Sequence, residues 1–247
     1  AEAALNGPAG QRRLTVSGEA EDLRLGIEAL DNALRGQTNL TLIASESRDN
    51  YKLDSFQLSN PQLSATAEGD LAQGDLDAEF TIVDLADLQE GWSGAFTGQA
   101  RLSEEDGLRR IELTGEGQDL SLGQASVDGA LTGTTRLDVR ATEQDGVITI
   151  SEGQLTNQQM NAIVQGVYGP GVTDLTADVE IVSLAPFGPG WQGALQAEGS
   201  FREVGDGIRR LELTGTGRDL SFGQAQVDGA LEGDTRLAVT ATEQDGV

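Results

Sequence analysis

The chain has 247 residues, enough for one large domain or two ordinary ones, and carries 16 basic against 41 acidic residues, a net charge of −25. So acidic a chain repels phosphate backbones and anionic lipid faces, which argues against nucleic acid as a partner. It has no Cys and no His, which removes disulfides, thiolate metal sites and the usual general base.

Only 37% of the residues are hydrophobic, low enough to raise disorder. The apolar residues are strongly periodic, and that periodicity decides for folded structure. There is no run of about 20 apolar residues to span a bilayer as a helix. The opening "AEAALNGPAG" has no basic start or apolar stretch and is not a signal peptide. It reads as a linker or terminal segment over residues 1–10. The abrupt start and stop lead us to expect a fragment of a longer protein.

From residue 11 the period is mostly two, the period of a strand. Leu14 and Val16 alternate with polar neighbours, and a shift of register separates them from Leu23 and Leu25. "GIEALDNALRG" then breaks the pattern: Ile27, Leu30 and Leu34 follow helical spacing and Gly36 is a C-terminal stop, so a helix of one to two turns is expected. Alternation resumes with Leu40, Leu42 and Ala44. Next, Leu53 is odd while Phe56 and Leu58 are even, and one extra residue near Asp54–Ser55, a bulge, restores a single face. Three more alternating sets follow: Leu63 to Gly69, Leu76 to Ile82, and Phe96 to Leu102. "RDN" (Arg48–Asn50), "EEDG" (Glu104–Gly107), "QDG" (Gln144–Gly146) and "GDG" (Gly205–Gly207) mark tight hairpins. Strands of seven to ten residues therefore follow one another as antiparallel neighbours.

The chain then repeats itself. Leu108–Val147 matches Ile208–Val247 without a gap at 30 of 40 positions. "QRRLTVSGEAEDLRLG" (Gln11–Gly26) is a more diverged copy of "LRRIELTGEGQDLSLG" (Leu108–Gly123). The unit is 97–100 residues: unit one over 11–107, unit two over 108–207, and a truncated unit three over 208–247, all in one continuous elongated domain. In unit two Val127, Ala130 and Leu131 replace the helix, and Ile148, Ile150 and Leu155 repeat the bulge.

Five or six antiparallel strands with one apolar face, and no long amphipathic helix to cover it, call for a sheet that curls on itself. A parallel β-helix uses shorter repeats, and a closed barrel does not need a unit that restarts every 100 residues. The expected fold is mainly β: a long twisted antiparallel sheet curled into an open trough. Its lining in unit one is Leu14, Val16, Leu40, Leu42, Leu53, Phe56, Leu58, Leu63, Phe80, Ile82, Phe96 and Leu102. Unit two contributes Ile111, Leu113, Leu137, Val139, Ile148, Ile150, Leu155, Met160, Val179, Ile181, Leu195 and Phe201. By alternation alone, that face reads first as an ordinary dry core.

The unit "RRxELTGxGxDLSxG…VDGALxGxTRL", with "L(S/T)N", "IVDLADL" and "GWxGA" after it, resembles the periplasmic part of the TamB (translocation and assembly module) family, grouped with AsmA-like and bridge-like lipid-transfer proteins. The resemblance runs from Gln11 to Val247 and lies in texture and repeat length, with no catalytic signature. It implies a β-taco, an open tube whose hydrophobic groove carries phospholipid acyl chains between inner and outer membranes, linked to outer-membrane biogenesis. It also implies a periplasmic location, an inner-membrane anchor outside this stretch and an outer-membrane barrel as partner of the full-length protein. Two alternatives remain: a structural or adhesive repeat stalk with a dry core, and a scaffold that pairs its sheet edge with outer-membrane protein strands.

Other repeated features have plainer readings. The pairs Arg12–Arg13, Arg109–Arg110 and Arg209–Arg210 are solvated cations balancing acids, or contacts to lipid phosphate at the groove rim. Asp22, Asp119 and Asp219 lack the alternating ligands of a calcium loop and suit turns or bulges. Trp92 and Trp191 in "GWxGA" are structural anchors or touch headgroups. Glu104–Glu105 is an acid pair in a hairpin tip that unit three does not reproduce, so no enzyme, cofactor or metal is expected.

Overall fold

The computed structural model describes residues 1–24, 26, 28–48, 50–203 and 207–244. Leu25, Ile27, Asp49 and Gly205, named above, lie outside them. Fifteen strands follow in chain order: β1 (Glu2–Asn6), β2 (Arg13–Glu21), β3 (Gln37–Ser47), β4 (Asn50–Ser59), β5 (Leu63–Asp70), β6 (Leu76–Ile82), β7 (Ser93–Glu105), β8 (Leu108–Ser121), β9 (Thr134–Gln144), β10 (Val147–Thr156), β11 (Met160–Gly169), β12 (Val172–Ile181), β13 (Trp191–Glu203), β14 (Ile208–Phe222) and β15 (Asp234–Gln244). Sheet order equals chain order, with β1 and β15 at the two ends. The sheet is thus open and not closed into a barrel, as expected. Short helices α1 (Glu28–Ala33), α2 (Ala125–Asp128) and α3 (Ala225–Asp228) interrupt it after β2, β8 and β14.

Several strands exceed the expected seven to ten residues: β8 has 14 and β14 has 15. Gly115 and Gly117, and their counterparts Gly215 and Gly217, leave gaps in the apolar alternation, yet their backbones stay extended and paired. The turns follow their sequences. At Asp106–Gly107 and Asp145–Gly146 both residues have positive φ (54° and 78°, 54° and 79°), the geometry that lets a two-residue loop match the twist of its strands.

The chain divides into two compact units, Ala1–Leu120 and Ser121–Val247. In the first, Ala33 and Leu34 at the end of α1 are 0% exposed and pack with Leu58, Leu63, Ile82 and Leu85. Leu85 sits on a 3₁₀ turn (Leu85–Asp87) that follows β6. In the second, Ile181, Leu184 and Leu220 form the matching cluster, bordered by Trp191, Phe222 and Leu231, and Ala130 and Leu131 are also buried. Trp191 meets Phe222 edge-on at 5.1 Å, and Trp92 borders the first cluster. Both tryptophans are therefore packing anchors.

The cap of each unit is tied down by one asparagine. Asn60 Nδ2 donates to the Ala33 carbonyl at 2.7 Å, and its Oδ1 accepts from the amides of Gln62 and Leu63. Asn157 does the same with Ala130, Gln159 and Met160. The repeated Asp22 and Asp219 are explained as well. Each adopts positive φ, 53° and 49°, and each side chain accepts from a glycine amide 14 residues on, Gly36 at 2.8 Å and Gly233 at 3.0 Å. The return bond runs from the aspartate amide to the same glycine's carbonyl. These aspartates close a loop around each helix. The register shift expected between Val16 and Leu23 is accordingly the end of β2 at a left-handed Asp22; β2 and β3 pair without a bulge.

Candidate functional site

The candidate site is the apolar face of the sheet, and cross-strand register assembles it. In the first unit Leu40 opposes Leu58, which opposes Ala65, and Ala65 opposes Phe80. The next row runs Val16, Leu42, Phe56, Ala67, Ala78, Ala100. Leu63, Ile82 and Phe96 form a row nearer the cap, and Leu76 opposes Leu102 toward the other end. Leu14 opposes Ala44, which opposes Leu53. These neighbours stay on one side only because the β4–β5 register shifts between Leu53 and Phe56, where the bulge was expected. On β8, a Cβ built at Gly115 would strike the Phe96 ring. Gly115 therefore shares the face of Phe96, and by alternation so do Ile111 and Leu113.

The second unit is built the same way. Leu137, Leu155, Ala162, Val179, Ala197, Gly215 and Leu237 form one row, and Val139, Gly153, Val164, Ala177, Gly199, Leu213 and Val239 the next. Ile150 opposes Gly166, then Leu175 and Phe201 follow, with Ile148 one step further out. Met160, Ile181 and Leu195 run nearest the cap. The shift between Ile150 and Gly153 again keeps the sides aligned. The expected lining residues are thus gathered on one face within each unit. The face also includes small residues not singled out as lining, such as Ala67, Ala78, Ala100 and Ala177, together with Leu175, Leu213 and Leu237.

Burial along this face is graded. Leu58, Leu63, Ile82 and Ile181 are buried, all close to a cap. Leu102 is 36% exposed, and the other expected lining residues are half-buried. Glycine makes room for the largest groups: a Cβ at Gly98 would lie 2.6 Å from Phe80 Cζ, and Phe80 stacks on Phe96 with centroids 6.0 Å apart. The opposite face is polar. Shallow concavities of about 600 Å³ in the first unit and about 740 Å³ in the second open there, among Thr66, Glu79 and Gln99 and among Asp178, Glu198 and Thr214. Among the described residues no three acidic side chains come together as metal ligands, and no helix is long and apolar enough to cross a membrane.

Ion pairs mark the end away from the caps. Arg12 pairs with Glu46, Arg13 with Asp54, Arg109 with Glu104 and Arg110 with Glu105 in the first unit. In the second, Arg209 pairs with Glu243 and Arg210 with Glu212. The three arginine pairs are therefore matched with carboxylates. Arg101 and Asp77, at 2.6 Å, and their counterparts Arg202 and Asp174, at 2.9 Å, join neighbouring strands on the polar face. The hydrogen bond that each arginine donates to its aspartate, and then the aspartate's charge, raise both guanidinium pKa values above the ordinary arginine value.

Comparison of the chain with protein-family models, with curated proteins and with solved structures finds no match.

Proposed function

We propose that the apolar face in each unit is a groove for phospholipid acyl chains, and that the chain is a periplasmic segment of a TamB-like bridge between inner and outer membranes. The observation that carries this reading is the graded burial. An apolar face runs in aligned rows through each unit, is dry only beside its cap, and stays half-exposed elsewhere. A stable sheet seldom leaves aliphatic rows partly open without something to cover them. The lining suits acyl chains. It is aliphatic, interspersed with Ala and Gly, and offers no directional contact, while each buried CH₂ gains about 0.8 kcal/mol wherever it lies. The texture of the repeat supports the same reading, with an inner-membrane anchor and an outer-membrane barrel partner belonging to the longer protein. A repeat stalk with a dry core competes, and the two buried clusters favour it at the caps alone.

The test is direct. Photo-crosslinkers replace Leu42 and Val139, which lie on the half-buried rows outside both clusters, and the chain is purified from an envelope fraction. Capture of phospholipid at both positions, and phospholipid in the native mass spectrum, are expected. Lipid-free protein with no adduct at either position rejects the groove, and protein adducts captured only by further crosslinkers on β1 or β15 favour the sheet-edge scaffold.

A further inference from the structure

The apolar face ends in a band that is neither apolar nor simply acidic. In the first unit Arg12, just before β2, continues its ladder by accepting from the Glu46 amide at 2.7 Å, and Glu46 lies two positions after Ala44, on the same side. Their side chains pair at 3.8 Å. Glu46 also stands opposite Tyr51 on β4, which lies on Leu53's side of the strand. Arg109 and Glu104, paired at 2.9 Å, extend the rows of Ile111 and Leu102 by one step each.

The second unit repeats the band. Tyr168 opposes Thr173, Glu203 opposes Arg209, and Arg209 opposes Glu243, with which it pairs at 3.7 Å. The first arginine of each repeated pair is thus the one carried on the apolar side. The chain has only two tyrosines; both stand in this band, 55% and 58% exposed. Tyrosine has an apolar body and a polar tip and favours boundaries between apolar and wet surroundings.

We infer that this band receives the headgroup of the amphiphile whose chains lie on the apolar rows, and that it selects zwitterionic heads over anionic ones. The inference rests on the groove reading above. From Phe96 to Leu102 the face spans six residue steps, about 20 Å. That is enough for one acyl chain, which reaches across half of a hydrocarbon core about 30 Å thick. A chain lying along the strands, with its end toward the cap, brings its head to Arg109–Glu104. There a phosphate meets a guanidinium, and the head's own ammonium meets the carboxylate that the guanidinium leaves. A head with only negative charge displaces the same glutamate, returns nothing to it, and enters a chain of net charge −25.

The experiment titrates the 247-residue chain calorimetrically with three single-chain amphiphiles of equal chain length, each below its micelle concentration: a lysophosphocholine, a lysophosphoglycerol and an alkyl maltoside. The phosphocholine head is expected to bind about tenfold tighter than the phosphoglycerol head, the weight of one or two exposed ion contacts. The triple variant Glu46→Gln, Glu104→Gln, Glu243→Gln removes one paired carboxylate from beside each of the three arginines and is expected to reverse that order. Arg12→Gln, Arg109→Gln, Arg209→Gln is expected to bring phosphocholine down to the level of the maltoside. All of these side chains but Glu46, which is largely covered, are exposed, and circular dichroism checks that each variant keeps its strands. Equal binding of the two phospho-heads, or an order unchanged in both triples, overturns the headgroup band while maltoside binding upholds the groove. Failure of all three amphiphiles to bind overturns the groove itself.

Discussion

Leu34 and Leu102 belong to the same compact unit and live in different solvents. Leu34, at the end of α1, is 0% exposed and sits against β4, β5 and the turn after β6. Leu102, near the far end of β7, is 36% exposed, although it lies in register with Leu76 on the same apolar face. Leu102 stands on the sheet's own ladder, whereas Leu34 is brought onto the sheet from the cap. What separates them is a helix of six residues that closes one end of the face and leaves the other to its surroundings. Stability is concentrated where the helix covers the strands, and the proposed binding capacity where it does not.

That contrast is broken most sharply at the capped end. Leu34→Ala removes a fully buried side chain from a site pinned by backbone hydrogen bonds, and a loss of about 2–5 kcal/mol is expected. Leu42→Ala, on the half-buried row, is expected to lose about 1 kcal/mol. Urea denaturation of the two variants measures the difference, and equal losses would mean that the open face is packed as tightly as the cap. Asn60→Ala comes next. It leaves the Ala33 carbonyl and two amides without their partner, and about 1–3 kcal/mol is expected. Asn157→Ala is expected to cost at least as much, because Asn157 makes the same three bonds and donates a further one to Thr135 Oγ1 at 3.2 Å; a loss at Asn60 only would show that the two caps are not equivalent in energy.

The sequence made the sheet legible because the strands from β2 onward announce themselves by period, whereas β1 lies in residues 1–10, read as a linker or terminal segment. Leu53 against Phe56 even located a bulge, since a skipped beat in the alternation has one cheap physical solution. The caps were half legible: Leu30 and Leu34 betrayed a helix. The partners that hold it, Asn60 to Ala33 and Asp22 to Gly36, are 27 and 14 residues apart and carry no local signal. The long arms of β8 and β14 were hidden by glycines, which pair in a ladder without marking a face. The charged band was hidden differently. "RR" shows two cations, and Leu14, Ile111 and Leu211 already tell which of the two shares the apolar side. Tyr51 and Tyr168 reach the same level only through turns and register, and no spacing in the chain displays that.

The smallest expected effect compares one carboxylate from each region. Asp128, the last residue of α2, accepts from the Leu122 amide at 2.8 Å, and that bond holds its pKa below the ordinary 3.8. Asp70, at the end of β5 away from the cap, is lowered from the same value, first by the Asn50 side chain at 3.1 Å and then by the amides of Gln73 and Ala72. A carboxylate whose folded pKa lies below its unfolded one adds stability above the unfolded value, and that stability is lost as pH falls through the folded value. Melting temperature is therefore expected to drop as pH falls from just above 3.8. Asp128→Asn and Asp70→Asn should each lower the melting temperature at neutral pH and flatten that acid limb. The two slopes should add in the double variant, since the groups stand in separate hydrogen-bond sets. Because Asp70 ties a turn at the open end of the first unit, Asp70→Asn should leave Leu34→Ala's cost unchanged. A double-mutant cycle in which Asp70 couples to Leu34 would show that the two ends of the unit melt as one.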